Sequence, residues 1–77
     1  ITKLSYVLPK NSRVRLTIFD TRGMVVKILL DSEQVSGKSS VNWDARNETG
    51  LPVSTGLYFY RIEAEGFTET KKMIFLK

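Results

Sequence analysis

The chain has 77 residues, with 12 Lys and Arg against 8 Asp and Glu, for a net charge of +4. A chain of this length forms one small domain with a thin core. It contains neither Cys nor His, which excludes disulfides and removes the commonest metal ligand and the commonest general base. The composition therefore predicts a non-catalytic protein without cofactor or metal. The positive charge favours anionic surfaces such as a polysaccharide, although a solvated basic surface explains it more simply.

The chain shows no apolar run of the roughly 18 residues that a membrane-spanning helix requires. It also shows no signal peptide at its start. We therefore expect residues 1–77 to be a single C-terminal module that has been excised from a larger protein.

Strict alternation of apolar and polar residues dominates the first third of the chain, which predicts strands over residues 3–8 and 13–18. A third strand is expected at Met24–Leu30 after a Gly-containing turn, with Val26 and Ile28 inward and a bulge near its end. The first two strands are predicted to supply these core residues: Leu4, Tyr6 and Leu8, then Val14, Leu16 and Ile18.

The remainder of the chain alternates in the same way but contains longer turns. A polar loop is expected at Asp31–Lys38, and an irregular stretch at Asp44–Pro52. Between them lies a short strand that ends at Trp43, the largest expected core residue. Two further strands, Leu57–Glu65 and Phe67–Leu76, are expected to form a hairpin around Gly66.

Six to seven short strands separated by turn residues are typical of an all-β sandwich or a small barrel. In a sandwich, each of two sheets buries one face and exposes the other. The sequence alone therefore predicts an antiparallel β fold without helices.

The order of these motifs is informative, although none of them is diagnostic alone. Along the chain they read Val14-x-Leu16-x-Ile18-Phe19-Asp20-x-x-Gly23, Val41-x-Trp43-Asp44, Asn47-x-x-Gly50, and Val53-x-x-Gly56-x-Tyr58-x-Tyr60-Arg61. This order resembles the immunoglobulin-like module of flagellar hook-capping proteins. It is similar, to the same degree, to the C-terminal sorting domains of type IX secretion cargo. The resemblance implies an immunoglobulin-like antiparallel β-sandwich.

The two families imply different functions. A sorting domain is recognised by outer-membrane secretion machinery, which places its protein at the cell surface, in some cases on an anionic polysaccharide. A hook-capping module is a structural part of an assembly. The chain stops at Lys77, directly after its last predicted strand, and this ending favours the sorting function. On that hypothesis the recognition residues are Lys71, Lys72 and Lys77, together with Gly56 and Tyr58 in structural roles.

A carbohydrate-binding module is a third possibility, because Tyr6, Trp43, Tyr58 and Tyr60 could form a stacking platform. Aromatic residues at this spacing more often belong to a core. We also expect no nucleic-acid partner: Arg13, Arg15, Lys27 and Arg61 could form a basic row, but no single-strand-binding motif accompanies them.

A cluster of oxygen ligands occurs in the irregular stretch, at Asp44, Asn47 and Glu48. Oxygen ligands of this kind can bind Ca²⁺, but their spacing is not that of a calcium loop. We therefore expect turns in which these side chains bond to nearby backbone, with Gly50 in a conformation of positive φ.

Overall fold

A computed structural model describes residues 2–76 of the chain. Within them, six β-strands form two antiparallel sheets, and there is no helix that could span a membrane. The strands are β1 (Thr2–Leu8), β2 (Ser12–Phe19), β3 (Val25–Gln34), β4 (Gly37–Trp43), β5 (Gly56–Ala64) and β6 (Phe67–Phe75). The predicted all-β fold is confirmed.

The two sheets differ in width. One contains β1 and β4, and the other contains four strands in the order β3-β2-β5-β6. Apolar side chains from both sheets form a single core, as a two-layer sandwich requires. The narrower sheet leaves part of the wider one uncovered, and this difference determines where the candidate site lies.

The core contains the residues that alternation predicts for the first, second and fifth strands. Val14, Leu16 and Ile18 have no exposed surface. Trp43 is also fully buried, with its ring centroid 5.5 Å from that of Tyr58 in an edge-on contact. The indole Nε1 donates a hydrogen bond to the carbonyl oxygen of Arg46 at 3.0 Å, which satisfies the one polar atom of this side chain.

The prediction for β3 is wrong in part. Val26 packs against the core as expected, but Ile28 is 41% exposed. The cause is the first of two register shifts between β2 and β3, which lies between Leu16 and Thr17 and places Thr17 opposite Ile28. Each shift inserts one extra residue into β3 and changes which side chains face inward. As a result, Leu29 and Leu30 pack on the core at the bulge that their sequence predicted.

The predicted loop Asp31–Lys38 is too long, because β3 continues to Gln34 and β4 begins at Gly37, which leaves only residues 35 and 36 between the strands. Polar residues suggested a loop, but they lie on an edge strand whose outer face is exposed. Asp31 is opposite Arg15 in the ladder and also accepts a hydrogen bond from Arg13 Nε at 3.0 Å. Cross-strand pairs of opposite charge stabilise such a strand.

Candidate interaction site at the last strand

The last strand, β6, lies at one edge of the four-stranded sheet and pairs only with β5 among the described residues. Directly opposite residues of an antiparallel pair share a face. Because Tyr60 and Ile62 are buried, their partners Lys71 and Glu69 lie on the inner side of β6. The inner side of this strand therefore carries a charged pair where a core residue would be expected.

The structure does not bring the predicted lysines together. Lys71 lies on the inner side, with its Nζ 3.3 Å from Glu69 Oε1. Lys72 lies on the outer side opposite Phe59 and forms no ion pair within residues 2–76. Lys77 is outside the described residues. The sequence-predicted recognition patch is thus divided between two faces, and its role in recognition stays a prediction.

Gly56 and Tyr58 lie at the start of β5. The Tyr58 ring is buried, and its hydroxyl donates a 2.6 Å hydrogen bond to the carbonyl oxygen of Ser54. A tyrosine that bonds to backbone a few residues upstream is a recurring feature of immunoglobulin-like sandwiches. Gly56 is opposite Phe75 at the other end of the hairpin. Both residues contribute to the structure of the β5–β6 pair.

The predicted basic row on the outer face is largely compensated by acids. Asp31 lies within 3.0 Å of Arg13 and 3.5 Å of Arg15. Arg61 pairs with Glu63 at 3.2 Å, and its guanidinium also lies over the ring of Phe19. Lys27 is opposite the buried Ile18 and so does not continue the row. Within residues 2–76, each of the three arginines of this row therefore has an acidic partner, and Arg13 and Arg15 share theirs.

Beside those ion pairs, the outer face becomes apolar, and the sequence did not predict how far this apolar surface extends. Phe19 and Phe59 are half-buried neighbours across β2 and β5, and Leu57 is opposite Ile74, which is 70% exposed. The signal was present in the alternation, because these residues occupy the outward positions of their strands. Only the strand order shows that they are contiguous.

The loop that was considered for Ca²⁺ uses its oxygens within the protein. Asp44 Oδ1 accepts from the backbone N–H of Arg46, and Asn47 Oδ1 accepts from those of Thr49 and Leu51. Glu48 Oε1 accepts from the Ile28 N–H at 2.7 Å. Residues 2–76 contain no group of three or more His, Cys, Asp or Glu side chains that could hold a metal ion. The turn interpretation describes this loop, and Gly50 has the expected positive φ of 83°.

The proposed stacking platform is not on the surface. Tyr6, Tyr58 and Tyr60 are each at most 8% exposed, and Trp43 is fully buried. A carbohydrate ring must lie flat on an exposed aromatic face, and these four faces lie in the core. The structure therefore gives no support to a carbohydrate-binding module.

A groove of about 490 Å³ separates β1 from β6, where the narrow sheet ends before the wide one does. Its lining includes Tyr6 and Pro9 on one side and Phe67, Glu69 and Lys71 on the other. Its lining therefore combines apolar side chains with the Glu69–Lys71 pair, and it lies beside β6, the edge strand of the wider sheet.

Comparison with known proteins identifies the family. The family model for the FlgD Ig-like domain matches residues 2–67. The chain belongs to the FlgD Ig-like family. Its fold also matches the crystal structure of FlgD from P. aeruginosa, with a TM-score of 0.75 and 26% sequence identity over 94% of this chain. The matched region is 57% of that FlgD chain. The comparison with curated proteins found no match.

These findings confirm the immunoglobulin-like fold and the resemblance to hook-capping proteins. They do not support the sorting-domain interpretation that the chain end had favoured. Gly56 and Tyr58 lie inside the family match, whereas Lys71 and Lys72 lie beyond it.

Proposed function

We propose that this chain is a structural assembly module of a hook-capping type of protein, the function first considered as an alternative. The observation that carries the proposal is the family match over residues 2–67, joined to the FlgD fold over 94% of the chain. The secretion-machinery partner and the cell-surface location belonged to the sorting hypothesis and are not part of this proposal.

The chemistry of the surface supports an assembly role. The loop after β4 is held to β3 by two hydrogen bonds, from Glu48 N–H to Val26 O at 3.1 Å and from Ile28 N–H to Glu48 Oε1 at 2.7 Å. The outer face carries exposed apolar side chains beside compensated charges. A rigid scaffold with an apolar patch and a polar rim is typical of a protein that binds other proteins.

A domain exchange tests the proposal. The aligned region of P. aeruginosa FlgD is replaced by residues 1–77, and hook formation is measured by electron microscopy and by swimming in cells that lack their own FlgD. We expect the chimera to restore hooks at least in part. A chimera that accumulates in folded form but never yields hooks would contradict the proposal.

The matched control is the same chimera with Trp43→Ala. Removal of a fully buried Trp costs about 3–5 kcal/mol, which is a large part of the stability of a small domain. We expect this chimera to be degraded and to give no hooks. The control therefore separates loss of folding from loss of function.

A further inference from the structure

The edge of β6 offers unpaired backbone groups to a further strand. β6 is the last strand of the order β3-β2-β5-β6, and within residues 2–76 no strand covers its outer edge. An exposed edge of this kind is a template for β-strand addition by another chain. The question is which strand has the complementary chemistry.

The sequence of β6 is complementary to itself. In an antiparallel pair of two β6 strands centred on Thr70, each Glu69 is opposite the Lys71 of the other copy. Because directly opposite residues share a face, both ion pairs lie on the inner side, where Glu69 and Lys71 already lie. In the same register Phe67 is opposite Met73, which places two apolar pairs outside the two charged pairs.

We propose that β6 pairs with β6 of a second copy of this chain, antiparallel and around a twofold axis at Thr70. This inference rests on the proposed assembly function, and it identifies a second copy of the same chain as the partner in that assembly. The pairing joins two four-stranded sheets into one continuous sheet of eight strands. Such an interface is isologous, so every contact occurs twice.

The groove beside β6 favours this register. Its lining includes Phe67, Glu69 and Lys71, all on the inner side of the strand. The inward side chains of an added strand lie beside this space, and Met73 of the second copy, which is half-buried against its own core, is then opposite Phe67. An added strand thereby covers the middle of the inner side of β6, at Glu69 and Lys71, which the two-stranded sheet leaves at least partly exposed.

Net charge opposes the pairing only weakly. Each chain carries +4, but charges more than about 8 Å apart are screened at physiological ionic strength. The opposite pairs Glu69–Lys71 have Cβ atoms at about 5 Å and are screened much less. The competing role for these residues is to protect a lone edge from aggregation. That role predicts a monomer, whereas the proposed pairing predicts a dimer, so the mass of the protein in solution distinguishes the two.

The first experiment measures the mass of the 77-residue chain by sedimentation across a dilution series. We expect a reversible dimer at twice the chain mass of 8.8 kDa. Glu69→Lys and Lys71→Glu each place like charges opposite one another twice, and each should weaken the dimer about tenfold. The double variant E69K/K71E restores both pairs and should restore the dimer.

Glu33→Lys is the matched control, because it makes the same change on the exposed edge strand at the other side of the sheet, β3. It should leave the dimer unchanged. A chain that stays monomeric at every concentration overturns the proposal, as does a double variant that remains as weak as the single ones. Loss of the dimer in Glu33→Lys would place the interface at β3 and also overturn it.

The second experiment tests the register with disulfides, since the chain has no Cys of its own. Thr70→Cys places two thiols opposite each other across the axis, with Cα atoms about 4.5–5.5 Å apart, within disulfide reach. Thr68→Cys, on the same face and equally exposed, places them about 14 Å apart. We expect Thr70→Cys to cross-link under mild oxidation and Thr68→Cys to remain unlinked. Equal cross-linking of the two variants contradicts the register.

These outcomes are separable from the domain exchange. A monomeric chain whose chimera still forms hooks overturns the β6 pairing and leaves the assembly function standing. A dimeric chain whose chimera forms no hooks contradicts the assembly function, although the pairing itself is then established.

Discussion

At the scale of single residues, Asp20 organises the turn between β2 and β3. Its Oδ1 accepts from the N–H groups of Arg22 and Met24 at 2.9 and 3.0 Å, and its Oδ2 accepts from Arg22 Nη2 at 2.9 Å. The hydrogen bond from the Arg22 side chain, with smaller help from the two backbone N–H groups, holds the pKa of Asp20 below its usual value of 3.8. The ionised carboxylate therefore stabilises the folded turn.

Because the pKa of Asp20 is lowered in the folded state, the direction in which the free energy of unfolding changes with pH can be predicted. The contribution of Asp20 is fully present above the unfolded-state pKa, and it is lost as pH falls through the lower pKa of the folded state. We expect Asp20→Asn to be less stable than wild type in urea unfolding at neutral pH, and the difference to shrink well below pH 3.8. Glu33→Gln, at an exposed site on β3, is the control. A difference for Asp20→Asn that does not change with pH would contradict the account.

At the scale of elements, one side chain attaches the loop after β4 to β3. Glu48 Oε1 accepts from the N–H of Ile28, at the position where the ladder between β2 and β3 shifts register. We expect Glu48→Ala to cost about 1 kcal/mol, the usual value of one hydrogen bond, and to speed hydrogen exchange at the Ile28 amide. Glu48→Gln keeps an acceptor at the same place and should stay close to wild type. Slow exchange at Ile28 in the alanine variant would show that another group protects this amide.

The elements that sequence could predict are those with undisturbed alternation. In β1, β2 and β5, a period of two in the sequence becomes one buried face, and the core residues follow directly. β3 could not be predicted in this way because two bulges shift its inward residues, so that Ile28 is exposed and Leu29 is inward. Bulges depend on the neighbouring strand, which local pattern does not contain.

Only part of the candidate site could be predicted from the sequence. Alternation alone places Lys71 and Lys72 on opposite faces, so their separation followed from the sequence. That Lys71 and Glu69 face an uncovered groove did not follow, because it depends on the strand order and on the narrow second sheet. The strand order and the width of the second sheet both depend on pairing between distant parts of the chain. An alternating pattern does not reveal them, because it looks the same in an edge strand and in a central strand.

At the scale of the whole molecule, the second half of β6 closes the core. Phe75 lies 6.0 Å from Trp43 between ring centroids, and Met73 is opposite the buried Tyr58. Deletion of residues 71–77 removes both side chains and half of the β5–β6 ladder. Removal of a fully buried side chain costs about 2–5 kcal/mol, and although these two are half-buried, their loss together with half of the ladder is large against a total of about 5–15 kcal/mol for a domain. We expect the shortened chain to be unfolded, as measured by circular dichroism and by loss of dispersion in its NMR spectrum.

The same prediction decides how recognition by the lysines can be tested. A shortened chain that fails to be exported from a type IX-competent host has lost its fold as well as its lysines, so the failure identifies neither cause. The 77-residue variant K71A/K72A changes only side chains that are exposed on β6, and it should keep the native spectrum. Export of a reporter fused to that variant, equal to export of the unchanged fusion, would remove any role of these lysines in sorting. A native spectrum from the shortened chain would instead show that β1 to β5 suffice for the fold, and deletion would then become a valid test.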